Sequence, residues 1–215
     1  MKKIFVFTVV AMLLLAACNE TEKIELFGGD NFDNWIIFLP DSIEQESVFH
    51  AEEGKLYVGG IPNGYIRTKE EYDSYELHLE WRWMEDPKNS GILLHATGED
   101  VLWPNCIEAQ LMAGKAGDFV LIGKGAGITV QDTAYLVESE ENRIKVIPKF
   151  EESSELAPGQ WNSYDIKVTK EEIELKVNGV IQNLGTAPTK SKGSICIQSE
   201  GGPLEFRNIY LTPIK

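Results

Sequence analysis

The sequence contains few of the residues that most often bind metals or form disulfides. It has three histidines and three cysteines in 215 residues. His50, His78 and His95 lie far apart along the chain and match no metal-binding spacing. Cys106 and Cys196 fall in the body of the chain. An oxidising compartment would permit a disulfide between them, but the sequence leaves their pairing open. No metal site is therefore predicted from these residues.

Positive charge is also scarce. The chain has 20 Lys and Arg residues against 34 Asp and Glu residues, and its formal net charge is −14 at pH 7. Proteins that bind nucleic acids carry a basic patch, so this composition argues against a nucleic-acid partner. The simplest interpretation is an acidic, solvated surface, which also favours binding of a cation. No motif requires a cofactor, and the sequence leaves open whether the protein binds a divalent cation.

Two common catalytic motifs are missing. The glycine-rich "GKGAG" at 123–127 lacks the strand-loop-helix context and the Lys-Ser/Thr pair of a phosphate-binding loop. The sequence also contains no Gly-x-Ser-x-Gly nucleophile elbow. Phosphate binding and the hydrolase chemistry of that elbow are therefore not predicted.

The apolar run at the amino terminus is shorter than the roughly 20 residues of a membrane-spanning helix. "MKK" is followed by "IFVFTVVAMLLLA", and "LAAC" ends at Cys18, which predicts a secretory signal over residues 1–17. "LAAC" resembles the bacterial lipobox, in which the cysteine is lipidated and becomes the first mature residue. An ordinary cleaved signal is the alternative. We expect residues 18–23 to be a tether and the acyl chains to anchor the protein in the cell envelope, at the outer membrane or in the periplasm.

Most of the remaining chain alternates between apolar and polar residues, as β-strands do. The alternation is clearest in "YELHLEWRW", "CIEAQLM", "SYDIKVTKEEIELKVNGVIQ", "GSICIQSE" and "PLEFRNIYLTPI". "VNGV" at 177–180 predicts a type I′ hairpin, and no stretch predicts a long amphipathic helix. Many short strands separated by Gly and Pro predict an all-β fold, a two-sheet antiparallel sandwich or jelly roll. We expect one such domain over residues 24–215.

Strand parity predicts which side chains face the core, because alternate residues of a strand share a face. The predicted core residues are Trp35, Leu77, Leu79, Trp81, Ile107, Leu111, Trp161, Ile166, Val168, Leu175, Val177, Ile195, Ile197 and Phe206.

Polar side chains also fall at alternate positions in three of these segments. If the strands are neighbours, one sheet face carries a cleft whose groups suit sugar hydroxyls. The alternative is a solvated outer face with cross-strand salt bridges. Trp103, on the approach to one strand, would supply a stacking surface or a structural contact. The side chains of this predicted cleft are Glu80, Arg82, Glu108, Gln110, Gln198 and Glu200.

A series of motifs resembles the 3-keto-disaccharide hydrolase domain family, once called a domain of unknown function. The resemblance covers roughly Leu26 to Ile214 and implies a jelly roll of the concanavalin A-like lectin/glucanase type. Two positions depart from the family's pattern. The family often has Arg where this chain has His95, and it often has His-Gly where this chain has Ser199-Glu200-Gly201. The motifs are "IELFGGDNFDNW", "GYIRTKEEYDSYELHLEWRW", "NSGI", "IEAQL", "GQWNSYDIKV" and "GSICIQSEGGPLEFRNIYLTPI".

The resemblance implies an enzyme that acts on an oligosaccharide or other glycoside oxidised at C3 of the sugar. A base would remove the C2 proton and the C1 oxygen would leave, with water added back to complete hydrolysis. We expect Glu108 to be the base, with Glu80 as second candidate and Arg82 neutralising the enolate. Expected substrate-binding residues are Asn89, Ser90, His95, Trp103, Gln110, Gln198, Glu200 and Arg207. Asn208 belongs to the same terminal motif as Arg207. The alternatives are a non-catalytic, lectin-like carbohydrate-binding module and a structural envelope protein.

Overall fold

A computed structural model describes residues 22–40 and 43–215. It contains one short 3₁₀ helix, Gln45–Ser47, and strands that form two antiparallel sheets. The predicted all-β, two-sheet architecture is confirmed. The strands are β1 Ile24–Phe27, β2 Trp35–Phe38, β3 Phe49–Glu52, β4 Lys55–Val58, β5 Gly64–Thr68, β6 Tyr75–Trp83, β7 Gly91–Thr97, β8 Asn105–Gln110, β9 Phe119–Ile122, β10 Gly127–Val130, β11 Thr133–Leu136, β12 Ile144–Ile147, β13 Asn162–Val168, β14 Glu172–Val177, β15 Val180–Thr186, β16 Ser194–Ser199 and β17 Leu204–Pro213.

The predicted signal segment, residues 1–17, and the lipidation site Cys18 lie outside the described residues. Across 22–40 and 43–215, the structure has no helix with the length and apolar character needed to cross a membrane.

The order of strands separates the predicted site segments. The ten-stranded sheet runs β11-β10-β15-β14-β13-β6-β17-β4-β3, with β1 also paired to β17. The seven-stranded sheet runs β12-β9-β8-β7-β16-β5-β2. Strand β6 therefore belongs to one sheet, whereas β7, β8 and β16 are consecutive neighbours in the other.

The core fills the space between the two sheets. Every predicted core residue except Trp161 is buried in it. Trp161 is only half-buried, and the guanidinium carbons of Arg82 and Arg207 lie 4.7 and 4.0 Å from its ring centroid. The core prediction for Trp161 is wrong because it has the opposite parity to Ile166 and Val168, so it lies on the outer face.

The predicted hairpin at 177–180 is confirmed. Strands β14 and β15 pair across it, with Val177 opposite Val180. Asn178 and Gly179 have φ values of 50° and 79°, as a type I′ turn requires at both central positions.

Candidate functional site

The predicted cleft is divided between the two outer surfaces of the sandwich. Leu79 and Trp81 face the core, so Glu80 and Arg82 lie on the outer face of the ten-stranded sheet. Ile107 faces the core as well. By the same alternation, its neighbours in β8 lie on the outer face of the seven-stranded sheet. The predicted convergence of Glu80 and Arg82 with Glu108, Gln110 and Gln198 is therefore wrong. Parity identifies a shared face within a strand, but it does not identify the sheet.

The outer face of the ten-stranded sheet carries cross-strand ion pairs. Glu80 stands opposite Arg207 and accepts hydrogen bonds from Arg207 Nε at 2.6 Å and Asn208 Nδ2 at 2.8 Å. Burial alone would raise the pKa of Glu80, but the hydrogen bonds from Asn208 and Arg207 bring it below its usual value. Glu80 is thus an ionised and fully paired carboxylate, as the salt-bridge alternative predicted. Glu80 and Arg207 are placed here, away from Glu108.

Arg82 is held in the same way. It stands opposite Glu205 in β17 and donates a hydrogen bond from Nε to Glu205 Oε2. Lys55 Nζ lies 3.5 Å from the other carboxylate oxygen. Only 2% of the Glu205 side chain is exposed, so Arg82 neutralises a buried charge rather than an enolate at Glu108.

Arg82→Met is expected to destabilise the fold by about 1–3 kcal/mol, because Glu205 loses a charged hydrogen-bond donor. If the chain cleaves glycosides, as the family resemblance implies, cleavage should persist in this variant. Urea unfolding and a turnover assay measure the two effects. Lys176→Met is the control, since its partner Glu174 lies 3.2 Å away in a half-buried surface pair, and surface pairs are worth about 0–1 kcal/mol. A folded Arg82→Met protein that shows no turnover would indicate that Arg82 belongs to the functional site.

The outer face of the seven-stranded sheet carries a cluster of carboxyl and amide groups, which we call the polar slot. Its members come from β8, from β16 and from the residues adjoining β7. Register places Gln110 opposite Gly91 and Gln198 opposite Tyr65. Bridges from Asn89 to Glu200 and to Gly201 bring the ends of these segments together. The polar slot consists of Asn89, Glu108, Gln110, Gln198 and Glu200.

Gly91 provides the space at the centre of the polar slot. A Cβ on this residue would overlap Glu108 Oε1 and Gln198 Oε1. The two side chains therefore extend over the backbone of β7, which a larger residue at 91 would prevent. The motif "NSGI" thus has a steric reason for its glycine.

Three oxygen atoms of the polar slot are buried without a hydrogen-bond partner among the described residues. They are Glu108 Oε1, Gln198 Oε1 and Asn89 Oδ1. A buried acceptor without a donor costs about 1–3 kcal/mol. A ligand with several hydroxyl groups would supply the missing donors, so the slot suits a polyhydroxylated molecule.

The two carboxyl groups of the slot are biased toward the protonated form. Glu108 is 3% exposed, and its burial, followed by the nearby charge of Glu200, raises its pKa well above the ordinary value. Burial also raises the pKa of Glu200, against a hydrogen bond from Asn89. A carboxyl group with a raised pKa holds its proton more tightly and is a stronger base once ionised, as general acid–base catalysis requires.

Gln110 has a fixed orientation. Its Oε1 accepts hydrogen bonds from the backbone N–H groups of Leu111 and Met112, each at 2.8 Å. These two donors identify the oxygen of the side-chain amide and leave the Nε2 amino group to donate to a ligand. Gln110 is therefore a preorganised donor at the edge of the slot.

Two other predicted binding residues have structural contacts. Ser90 is buried and donates a hydrogen bond to the carbonyl of Gln198 at 3.0 Å, which ties β16 to the segment before β7. His95 sits in a bulge with φ of 52° and packs edge-on against the core residue Tyr75, with ring centroids 5.7 Å apart. The prediction that His95 binds substrate is wrong, because the bulge turns its ring toward the core.

A second hydrophobic cluster covers the middle of the same outer face. Trp103 packs against it, and its role as a stacking surface for a ligand stays a prediction. The other members were not predicted, although the apolar runs "GILLHA" and "FVLI" are typical of strands buried on both faces. Cys106 and Cys196 belong to this cluster and are free thiols. Its members are Tyr65, Leu93, Ala96, Cys106, Val120, Ile122 and Cys196, with Phe38 and Trp103 packed against them.

Across the described ranges, no three His, Cys, Asp or Glu side chains come together in a way that could hold a metal ion. The polar slot has two carboxyl groups and three amides, which are groups that transfer protons and form hydrogen bonds.

Solved structures share this architecture. A candidate glycosyl hydrolase from Parabacteroides distasonis is 22% identical over 90% of this chain and 100% of its own, with a TM-score of 0.63. A Bacillus licheniformis beta-glucanase is 12% identical over 89% and 97%, with a TM-score of 0.55. The carbohydrate-binding module CBM66 from Bacillus subtilis is 6% identical over 82% and 93%, with a TM-score of 0.56. These likenesses establish the concanavalin-like jelly-roll fold.

No curated protein matches the chain. The sequence profile of the 3-keto-alpha-glucoside-1,2-lyase-like domain matches residues 22–212, which includes both sheets and every member of the polar slot. The chain therefore belongs to the family of 3-keto-alpha-glucoside-1,2-lyase-like domains.

Proposed function

We propose that the polar slot cleaves the glycosidic bond of 3-keto-glycosides, including 3-keto-disaccharides, by elimination across C1 and C2 of the sugar. The observation that carries this proposal is Glu108, a buried carboxyl group with an unpartnered oxygen above Gly91. The family description supports the same reaction class.

The reaction begins with proton removal. A carbonyl group at C3 acidifies the proton on C2, and Glu108 accepts that proton. The C2–H electron pair forms the C2–C3 enolate. When the carbonyl re-forms, the pair moves into a C1–C2 double bond and the C1–O bond breaks. The leaving oxygen takes a proton from Glu200, so atoms and charge balance. Addition of water to the unsaturated product would complete a net hydrolysis.

The amides of the slot position the sugar. The free amino group of Gln110 donates to the C3 oxygen, where negative charge develops, in the role first expected of Arg82. The unpartnered oxygens of Gln198 and Asn89 accept hydrogen bonds from sugar hydroxyls. An amide donor carries less charge than a guanidinium, but its orientation is fixed before the substrate binds.

A second candidate function is carbohydrate binding without turnover. It is favoured by the 3% exposure of Glu108, since a neutral carboxylic acid in this environment can serve as a hydrogen-bond donor to a sugar. In that case ligand binding would be measurable while every glycoside is recovered intact.

Incubation of the purified protein with 3-keto-glucosides, followed by mass spectrometry, tests the proposal. We expect the free aglycone and a sugar product lighter than 3-keto-glucose by one water, or 3-keto-glucose itself after hydration. A parallel sample with EDTA reports any requirement for a divalent cation. Recovery of unchanged substrate in both samples would contradict the enzymatic function.

Gly91→Ala is expected to reduce turnover about a hundredfold or more, because the new methyl group displaces Glu108 and Gln198 from the slot. Steady-state kinetics and circular dichroism separate this effect from unfolding. Gly29→Ala is the matched control, since a Cβ there lies 3.5 Å from its nearest neighbour. Wild-type kinetics in folded Gly91→Ala would show that the arrangement over Gly91 is unnecessary.

We also propose that Cys18 carries the lipid anchor, on the basis of "LAAC" after an apolar run. Cys18→Ser should move the protein from the membrane fraction to the soluble fraction and remove acyl chains detectable by mass spectrometry. Unchanged membrane association of the variant would contradict this anchor.

A further inference from the structure

We propose that an apolar strip beside the polar slot, exposed at its far end, binds the leaving group, and that the preferred leaving group is an apolar, ring-bearing aglycone. This inference rests on the proposed function and extends it to the substrate class. The apolar strip consists of Val120, Ile122, Ile144 and Val146.

Strand register connects the strip to the proposed base. Val120 stands opposite Glu108, and Val146 stands opposite Val120. In the next row, Cys106 stands opposite Ile122, and Ile122 stands opposite Ile144. Directly opposed residues of antiparallel strands project from the same face. The strip therefore runs from Glu108 across β9 to β12, on the outer face that carries the slot.

The far end of the strip is open. Val120 and Ile122 are buried, whereas Ile144 and Val146 are 53% and 54% exposed. Both exposed residues lie in β12, the last strand of the sheet. Native edge strands usually carry charges or proline rather than exposed apolar side chains. β12 also carries the exposed Lys145, but this residue has the opposite parity, so Ile144 and Val146 form an exposed apolar pair on the outer face that another apolar group can cover.

The position of the strip matches the geometry of elimination. Glu108 takes the proton from C2, and the leaving group is attached to the adjacent atom C1. Toward Gly91 and Gln198, Glu108 meets the unpartnered oxygens of the slot, although Leu93 stands directly opposite it in β7. The strip lies on the other side of Glu108. Neighbouring strands are about 4.8 Å apart, so Val146 lies about two strand spacings from Glu108, within reach of a ring attached to C1.

The side chains of the strip select the occupant. Val and Ile offer no hydrogen bonds, so a second sugar would lose water from its hydroxyl groups without replacement. An aryl or alkyl aglycone has no such penalty and gains apolar contact. Other occupants are a second copy of this chain and residues 1–21. The adjoining slot, which fixes C1 next to the strip, favours the aglycone.

The test compares two double variants with the same chemical change. Ile144→Thr with Val146→Thr alters the strip. Val180→Thr with Ile181→Thr is the control, since these residues are 41% and 38% exposed on β15 of the other sheet. For each protein, kcat/KM is measured with 3-keto-phenyl and 3-keto-methyl glucosides. We expect the phenyl-to-methyl ratio to fall about tenfold in the strip variant only. An unaltered ratio would overturn the inference.

Equilibrium binding separates this inference from the proposed function. If the wild-type protein cleaves neither glucoside, the proposed enzyme is wrong, and the strip is assessed by calorimetry with the same two ligands. Preferential binding of the phenyl glucoside that is lost in the strip variant supports an apolar subsite; equal binding of both overturns it. Sedimentation tests the competing occupant, because self-association abolished by the strip substitutions would assign the strip to a second copy and overturn the inference.

Discussion

Glu108→Gln is expected to reduce turnover of a 3-keto-glycoside by about 10³-fold and to raise the stability of the protein at neutral pH. An amide cannot accept the C2 proton, and loss of a general base typically removes 10²–10⁴-fold of rate, roughly, in enzymes of this kind. The same substitution removes a buried ionisable group whose oxygen lacks a partner. Its new amino group can donate to Gln198 Oε1, which also lacks one.

The stability effect depends on pH with a definite sign. The pKa of Glu108 is raised in the folded protein, chiefly by burial, so the folded state binds the proton more tightly than the unfolded chain. The contribution of the Glu108 carboxyl group to the stability of the fold is therefore fully present below its pKa in the unfolded chain. It is lost as the pH rises through its pKa in the folded protein. Glu108→Gln should remove this loss, so the variant should be more stable than wild type at neutral pH.

Thermal unfolding of wild type and variant between about pH 4 and pH 8 measures this difference. Glu171→Gln, at an exposed position beside β14, is the control for the same chemical change and should follow wild type. Equal melting temperatures of wild type and Glu108→Gln at neutral pH would show that the Glu108 carboxyl is well solvated.

Trp81→Ala is expected to lower the free energy of unfolding by about 3–5 kcal/mol, because it leaves a large void in the core. Trp81 is fully buried and stands between Asn162 of β13 and Phe206 of β17. The substitution therefore removes contacts at the centre of the ten-stranded sheet. Urea unfolding followed by circular dichroism measures the loss.

Trp161→Ala is the matched control for this prediction. Trp161 is half-buried under the guanidinium groups of Arg82 and Arg207, and such contacts are worth about 0.5–2 kcal/mol each. The decrease in the free energy of unfolding should therefore be clearly smaller for Trp161→Ala than for Trp81→Ala. Equal losses at the two positions would mean that the outer face contributes as much as the core.

Alternation along the chain was sufficient to predict the fold class, because each strand buries one face and a period of two fixes which residues it buries. It also placed Glu108, Gln110 and Gln198 on an outer surface. It could not assign β6 and β8 to different sheets. That assignment depends on long-range pairing, such as β6 with β13 and β17, which carries no local pattern.

Two local features also escaped the sequence. The bulge between Leu94 and Thr97 shifts the alternation of β7 and sends His95 toward Tyr75. The sequence predicted no separate role for Gly91 beyond its place in "NSGI". The glycine is required because side chains of β8 and β16 extend over the intervening strand at this position. Both features depend on neighbours distant in sequence, so they require the assembled sheet.

Removal of the C2 proton by Glu108 can be measured directly with a 3-keto-glucoside that is deuterated at C2. We expect slower turnover of the deuterated substrate by wild-type protein and a product from which the C2 deuterium has been lost. Release of a sugar that retains its C2 deuterium, at the same rate as the undeuterated substrate, would contradict proton abstraction at C2 and with it the assignment of Glu108 as the base.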